Sequence, residues 1–418
     1  MYDVVIIGSG PAGLGAAFEL IEKNNSLKIL ILEKEAICSG GLLNDCKMNF
    51  TFPIGFPEDY WSSEVTPYLE TVKKHLNPKI LEKSNIKKYQ NRAERIGVSL
   101  YNIEQAHVGT DKSKELIKGL LTQLKNLGVE IKLKTEVSDI FLNPNVVITK
   151  EKTYEFKKLI IAPGRKGFSF LQEIMNKFKI EYVDNIVDVG IRVETKLENY
   201  PIVKDYYDPK FYFPEKVRTF CTNSGFAQVV KEKYKDFFLV NGHAFSEDKK
   251  ENNLVNFAML KTIGLKNPVR SGQQMAVFLA RLANEIGGGK PIMQRVGDFR
   301  MGKRSKEETF NNDLYDFKPT CDACAGDLGL VVPSKIMRDI WNSLKLLDTI
   351  IPGVLNPSTI LYYPEEKMYG NKPYFIDNHF QAKENVYMVG DGAGTSRGIT
   401  AAWASGIRAA EGILKEKI

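Results

Sequence analysis

The sequence predicts an α/β chain: a Rossmann-like dinucleotide-binding domain interrupted by an inserted α+β domain. Three observations carry this prediction. The first 33 residues read as strand, glycine turn, helix and second strand; a late glycine turn followed by a small-residue helix closes the chain; and the stretch from 166 to 355 is β-rich and aromatic.

The opening element is the β-branched run Asp3-Val4-Val5-Ile6-Ile7, followed by Gly8-Ser9-Gly10-Pro11-Ala12-Gly13 and by apolar residues at helical spacing, Leu14, Ala17, Phe18, Leu20 and Ile21. Each glycine has a physical job in such a turn. Gly8 permits the tight bend, Gly10 lets the backbone approach a pyrophosphate, and Gly13 lets the helix pack closely on the strand. Free N–H groups at the helix start face the phosphates. A second strand, Lys28 to Leu32, ends in Glu33, 20 residues after Gly13, with Lys34 behind it. The Glu33 carboxylate is placed to accept hydrogen bonds from a ribose.

After Glu33 the segment Cys38-Ser39-Gly40-Gly41-Leu42-Leu43-Asn44-Asp45-Cys46-Lys47-Met48 reads as a loop, and residues 57–95 as polar and helical. Leu116, Leu120, Leu121, Leu124 and Leu127 mark an amphipathic helix that Gly128 stops. Val129 to Val137 and Asn145 to Thr149 read as strands. Leu159-Ile160-Ile161 is another, ending in the Ala162-Pro163-Gly164 turn. At the far end, Val386 to Val389 reads as a strand, then come Gly390-Asp391-Gly392-Ala393-Gly394 and a helix from about Ile399 to Ile413.

The three glycine turns together resemble the FAD-binding signature of the glutathione-reductase-like flavoproteins. That resemblance implies FAD as cofactor, with Asp391 on the ribitol chain and Val137 near the adenine. It also implies that Gly41 and Leu42 run beneath the flavin. Gly398-Ile399-Thr400 would open a helix whose N-terminus faces the flavin pyrimidine edge and stabilises the reduced, anionic form.

The central block carries Val187–Glu194, Arg218–Cys221, Val240-Asn241-Gly242-His243, Asn256-Phe257-Ala258 and Gly326-Asp327-Leu328. With the Gly390–Ile399 string, these are similar to a family of mostly uncharacterised FAD-dependent dehydrogenases over nearly the whole chain. The resemblance implies an FAD-binding domain made of residues 1–165 and 356–418, with a substrate domain inserted at 166–355. It names no substrate. Cys46, Cys321 and Cys324 depart from the family's pattern. The block has no second GxGxxG preceded by a strand, so no separate NAD(P)-binding unit is expected, and helices are expected at Gly272 to Ile286 and Pro333 to Leu347.

A chain of 418 residues can bury a large core and is expected to form about two domains. Its 43% hydrophobic and 11% aromatic content is that of a globular protein rather than a disordered one. It opens directly on a core strand, which predicts no cleavable leader. No apolar run reaches the roughly 18–20 residues a membrane helix needs, so the chain is expected to be cytoplasmic. Five cysteines give no disulfide framework and suit a reducing compartment. Fifty-eight Lys+Arg against 51 Asp+Glu leave +7, with lysines scattered among glutamates. This reads as a solvated surface, with an RNA-binding or RNA-modifying flavoprotein as an alternative.

If FAD carries the redox step, the protein supplies position and electrostatics. The expected reaction is hydride transfer between flavin N5 and a small-molecule substrate held under the insert, with NADH or NADPH as a transient donor or an unknown electron partner. His243, whose ordinary pKa lies near neutrality, is a candidate acid or base. Arg218 and Arg192 are candidates for a substrate carboxylate or phosphate, with structural salt bridges as the equal alternative. Lys47 is a candidate for the flavin N5 side. Cys321-Asp322-Ala323-Cys324 has redox-disulfide spacing, so a flavin-linked dithiol reductase is a further alternative. Zinc needs four ligands and this segment offers two, so no metal is expected.

Overall fold

The computed structural model describes residues 1–37, 41–43, 46–184, 186–234, 236–245, 250–264, 271–311, 315 and 317–416. The chain divides into two compact units, Met1–Ile80 with Glu104–Asn185 and Tyr369–Ile418, and Leu81–Ile103 with Ile186–Met368.

In the first unit, five parallel strands lie in the order Val386–Met388, Thr153–Ile161, Tyr2–Ile7, Ile29–Leu32 and Glu130–Lys132. Both faces are covered, which is why these strands read as continuous apolar runs. Val4, Ile6, Ile29, Ile31 and Ile160 join one core with the helices Pro11–Lys23, Thr66–Leu76, Ser113–Asn126 and Ile399–Lys415. Val5, Ile7, Leu30, Leu32, Leu159 and Ile161 enter the opposite core, where the helix Phe168–Phe178 buries Leu171, Ile174 and Met175. The expected strand from Val129 to Val137 is interrupted: Lys134 takes φ +54°, so the strand ends at Lys132 and a new one runs Val137–Leu142.

The second unit is built on a sheet with the strand order Cys324–Ala325, Ile292–Arg295, Ile360–Met368, Val187–Lys196, Leu254–Ile263, Val217–Asn223, Lys210–Phe213 and Ser99–Tyr101. All of its pairings are antiparallel except the first. A separate hairpin pairs Ala227–Lys233 with Phe238–Ala244. Helices form at Gly272–Ile286, as expected, and at Ser334–Ile350, where one from Pro333 to Leu347 was expected.

The unit boundaries differ from the expected 165/166 and 355/356. Phe168–Phe178 stays with the first unit because its apolar face fills that unit's core. Ile360–Met368 belongs to the second because it pairs with Val187–Lys196. Residues 81–103 also join the second unit, where Ser99–Tyr101 extends the sheet as an edge strand.

This second unit buries charge. Arg192 is fully enclosed and grips Glu365 with two bonds, Nε to Oε2 at 2.5 Å and Nη2 to Oε1 at 2.6 Å. Its Nη1 donates to the Cys221 carbonyl and to Asn256 Oδ1, while Lys367 Nζ lies 3.0 Å from Glu365. The neighbouring Glu366 has neither carboxylate oxygen partnered among the described residues, and burial holds its carboxyl well above the usual range. The folded protein therefore holds a proton there to higher pH than the unfolded chain does. Stability contributed by this group is present below the unfolded pKa and falls as pH rises toward the folded value. A Glu366→Met variant should gain on the order of 1–3 kcal/mol at pH 8, and much less at pH 4, in urea unfolding.

Candidate functional site

Parallel strands bring their carboxyl ends to one edge of the sheet, where open α/β folds bind ligands. Ile7 pairs with Leu32 on one side and Ile161 on the other, and Ile161 pairs with Met388. The Gly8–Gly13 turn, Glu33, the Ala162-Pro163-Gly164 turn and the Gly390–Gly394 turn therefore leave the sheet at one level. Residues at the two ends of the sequence thus share one edge.

The glycines of this edge fall into two groups. Gly8, at φ +100°, would place a Cβ 2.3 Å from the Ala162 carbonyl oxygen, and a Cβ on Gly13 would lie 2.0 Å from the Gly8 oxygen. A Cβ on Gly392 would meet the Gly164 oxygen at 2.4 Å. One on Gly390 would stand 3.1 Å from the Ala12 Cβ. These glycines are required by the chain's contacts with itself. Gly10, Gly164 and Gly398 differ, because a Cβ there meets no described atom within 4 Å. Gly10 precedes the helix Pro11–Lys23 and Gly398 precedes Ile399–Lys415, and neither helix has a side-chain cap. Two uncapped helix starts with open space over their glycines are a fit for an anionic nucleotide, since the free N–H groups need acceptors.

Crossing of the two helices sets where those starts lie. A Cβ on Gly15 would sit 2.4 Å from the Trp403 oxygen, and one on Gly406 would sit 1.9 Å from the Ala12 oxygen. The helices therefore touch backbone to backbone. Trp403 closes the contact by stacking on Phe18 at 5.7 Å.

Polar groups support the turns. Glu33 is buried; its Oε2 accepts from Ser9 N at 2.8 Å and Ser9 Oγ at 2.9 Å, and its Oε1 accepts from Glu35 N at 3.0 Å. The glycine turn is thereby tied to the end of the second strand. Thr135 N donates to the Glu33 carbonyl, which brings the start of the Val137–Leu142 strand beside it, while Lys34 is exposed. Asp391 Oδ1 accepts from Ser396 Oγ at 2.6 Å and Gly398 N at 3.2 Å, and its Oδ2 lies 3.6 Å from Arg165 Nε. Thr395 Oγ1 accepts from Gly390 N at 2.8 Å. Gly41 packs on Ile399, Leu42 is buried in the same core, and Lys47 begins the short Lys47–Asn49 strand paired with Gln105–His107. Cys38, Ser39, Gly40, Asn44 and Asp45 lie outside the described residues.

The structure brings Gly8 to Gly13, Glu33, Ala162 to Gly164, Gly390 to Gly392 and Gly398 to Thr400 together in the first unit. His243 and Arg218 belong to the second unit. His243 pairs with Gln228 in the hairpin, next to Gly242, whose Cβ position lies 2.1 Å from Arg192 Nη1. Arg218 forms an ion pair with Asp188 at 2.5 Å and lies over the Phe220 ring. Arg192 is spent on Glu365, as described above.

Sequence reasoning missed Ser396, Thr395, Arg397 and Trp403. Hydroxyl residues three and four positions after the Gly390-Asp391-Gly392 turn are the signal that could have found the first two.

Cys321 and Cys324 are free thiols. Burial pushes the Cys321 thiol up to about 12, with the nearby Glu194 adding to the effect. Little of that thiol is therefore in the thiolate form near neutral pH, and the thiolate is the species that exchanges with disulfides. Native protein treated with iodoacetamide at pH 8 should keep Cys321 unmodified in peptide mapping, whereas protein in urea should lose it. Among the described residues no group of three His, Cys, Asp or Glu side chains is arranged to hold a metal ion, and no helix is long and apolar enough to cross a membrane. Many surface lysines are matched to acids, including Lys73 with Glu104, Lys74 with Glu22 and Lys177 with Asp139.

Fold and site together define an α/β protein whose parallel sheet has a carboxyl-end edge assembled from both ends of the sequence. A sequence model of the Thi4 family matches residues 1–52, the opening strand-turn-helix-strand unit and the residues just after it. The chain is 22% identical over 345 residues to an uncharacterized protein of Clostridium beijerinckii (strain ATCC 51743 / NCIMB 8052), covering 75% of this chain and 62% of that protein. It thus spans less than two thirds of that relative's length. Among solved structures, L-proline dehydrogenase from P.horikoshii superposes with a TM-score of 0.45 at 12% identity, covering 100% of this chain and 94% of that one. Glycine oxidase from Geobacillus kaustophilus gives 0.43 at 11% identity, with 100% and 95% covered.

Proposed function

We propose that this protein is an FAD-dependent oxidoreductase acting on a small-molecule substrate. The observation that carries the reading is the pair of uncapped helix starts, Gly10–Pro11 and Gly398–Ile399, at opposite ends of the sequence with open space over both glycines. A single mononucleotide cradle would need the first alone. A dinucleotide with a long flavin arm uses both, because its pyrophosphate and its ring system need acceptor-hungry N–H groups far apart.

In this reading the Gly8–Gly13 turn and the first helix hold the pyrophosphate, Glu33 the adenosine ribose, Asp391 the ribitol, and the last helix the pyrimidine edge. When bound, FAD supplies hydride exchange at its N5 position. The chain's own residues bind, orient and polarise. Glu33 is locked by Ser9 and Glu35, and Asp391 by Ser396 and the Gly398 amide, so each carboxylate meets a sugar without first losing rotamer freedom. We propose NADH or NADPH as the electron donor, acting transiently. The glutathione-reductase-like arrangement of turns supports the cofactor, and the elevated Cys321 thiol speaks against a dithiol reductase.

The test is the visible spectrum of the purified protein, followed by anaerobic titration with NADH and NADPH. Flavin absorbance that either nucleotide bleaches is the expected result. Colourless protein that refuses added FAD after refolding would overturn the proposal, and yellow protein indifferent to both nucleotides would remove the donor assignment alone.

A further inference from the structure

Arg397 stands immediately before Gly398 and the last helix, and it is an arginine without an acidic partner among the described residues. Its backbone N–H donates to the Gly55 carbonyl at 2.8 Å, which fixes the main chain. Its guanidinium carbon lies 4.9 Å above the ring of buried Tyr369, which orients the planar fork. The Nε is buried and has no hydrogen-bond acceptor. The nearest carboxylate in sequence, Asp391, is committed to Ser396, the Gly398 amide and Arg165.

Two further observations at the same place point to a ligand. Thr400, in the first turn of the 17-residue helix Ile399–Lys415, is 3% exposed, and its Oγ1 has no partner. Gly398 holds φ +143° and would direct a Cβ into space where no described atom lies within 4 Å. No acidic residue occupies the helix's first turn. A buried donor left unmade costs about 1–3 kcal/mol, so two of them on either side of Gly398 mark a place where acceptors are brought in from outside.

Helix N–H groups suffice for a weakly polar acceptor such as a ring carbonyl. A guanidinium is different: it is a full charge with five donors in a rigid fork, which matches a carboxylate with two parallel bonds. We propose that Arg397, braced on Tyr369, anchors a carboxylate of the substrate, so that this protein acts on a small carboxylic acid. The inference rests on the flavoenzyme reading for its setting, and its own residues all lie in the first unit.

The experiment titrates flavin-loaded protein with benzoate and, separately, with neutral benzamide, following the visible flavin band. It compares the parent with Arg397→Met and Arg397→Lys. The parent should show a saturable shift with benzoate and none with benzamide. Losing a charge-assisted bidentate contact should weaken benzoate about 10- to 100-fold in Arg397→Met, with Arg397→Lys in between. The same three proteins are titrated with sulfite, which reports positive charge at the flavin pyrimidine edge.

If benzoate binding is unmoved by the substitution, or if the parent does not respond to benzoate, the carboxylate anchor is wrong. If sulfite affinity drops while benzoate binding stays, Arg397 serves the cofactor edge and the proposal is likewise overturned. Should Arg397→Met not fold, Arg397→Lys carries the comparison. Should the protein take up no flavin, the flavoenzyme reading fails by itself. The anchor is then tested by thermal shift: a saturable benzoate-induced rise in Tm that Arg397→Lys weakens supports it, and no rise rejects it.

Discussion

A Gly10→Val variant will fold and purify without colour. Gly10 adopts φ −72° and ψ −178°, extended backbone open to any residue, and no described atom lies within 4 Å of its Cβ position. The described chain therefore puts nothing against the first carbon of the new side chain. Valine is a poorer residue than glycine at a helix start, so a loss within about 1 kcal/mol is expected in urea unfolding. Binding is another matter. If FAD is held as proposed, the side chain fills the approach to the N–H groups at the start of Pro11–Lys23, and two lost charge-assisted bonds to the pyrophosphate should weaken FAD about 10²- to 10⁴-fold. Gly13→Ala is the contrasting variant. Its Cβ would lie 2.0 Å from the Gly8 oxygen, so the helix must move off the strand, and both stability and flavin are lost. Equal instability of the two variants would refute the division of these glycines into packing and approach positions.

Arg192→Met should destabilise the protein by about 3–5 kcal/mol, because breaking a buried ion pair strands the remaining charge. The stranded group is Glu365, which is fully enclosed and left with Lys367 alone at 3.0 Å. Burial by itself would raise the Glu365 carboxyl, but Arg192 and Lys367 outweigh it and hold the pKa below its ordinary value. The group therefore contributes stability above the unfolded-state pKa, and this is lost as pH falls through the folded value. In the variant burial goes unopposed by Arg192, so its deficit should be greatest at pH 7 to 8 and shrink toward pH 4. A second substitution, Glu365→Leu, should recover part of the loss, since Lys367 then remains unpaired. Urea unfolding at pH 4, 6 and 8 measures all three proteins; a deficit independent of pH would show that Arg192 acts through packing alone.

Local pattern and register carried different amounts of information. The opening strand, its turn, the first helix and Glu33 were legible because each is specified within a few residues, by β-branched runs, glycine spacing and helical periodicity. Helix Gly272–Ile286 was legible for the same reason. The break at Lys134 was not, because a lysine in the left-handed region carries no local signature. Nor was the placement of residues 81–103. Ser99–Tyr101 is a three-residue strand whose unit is decided by pairing with Lys210–Phe213, more than a hundred residues away.

By itself the sequence determined that this chain has an opening strand, glycine turn and helix, a second glycine turn before a helix near its other end, and a β-rich block between them. Only the tertiary structure decided which glycines pack and which stay open, because that depends on what lies over each Cβ position. It also decided that Arg192 is consumed by Glu365 while Arg397 has no acidic partner among the described residues, although the two arginines look alike in the sequence. The physical reason is that a charge's role is set by the partner the fold brings to it. Glu365 lies 173 residues from Arg192, and no local pattern reports that distance closing to a hydrogen bond.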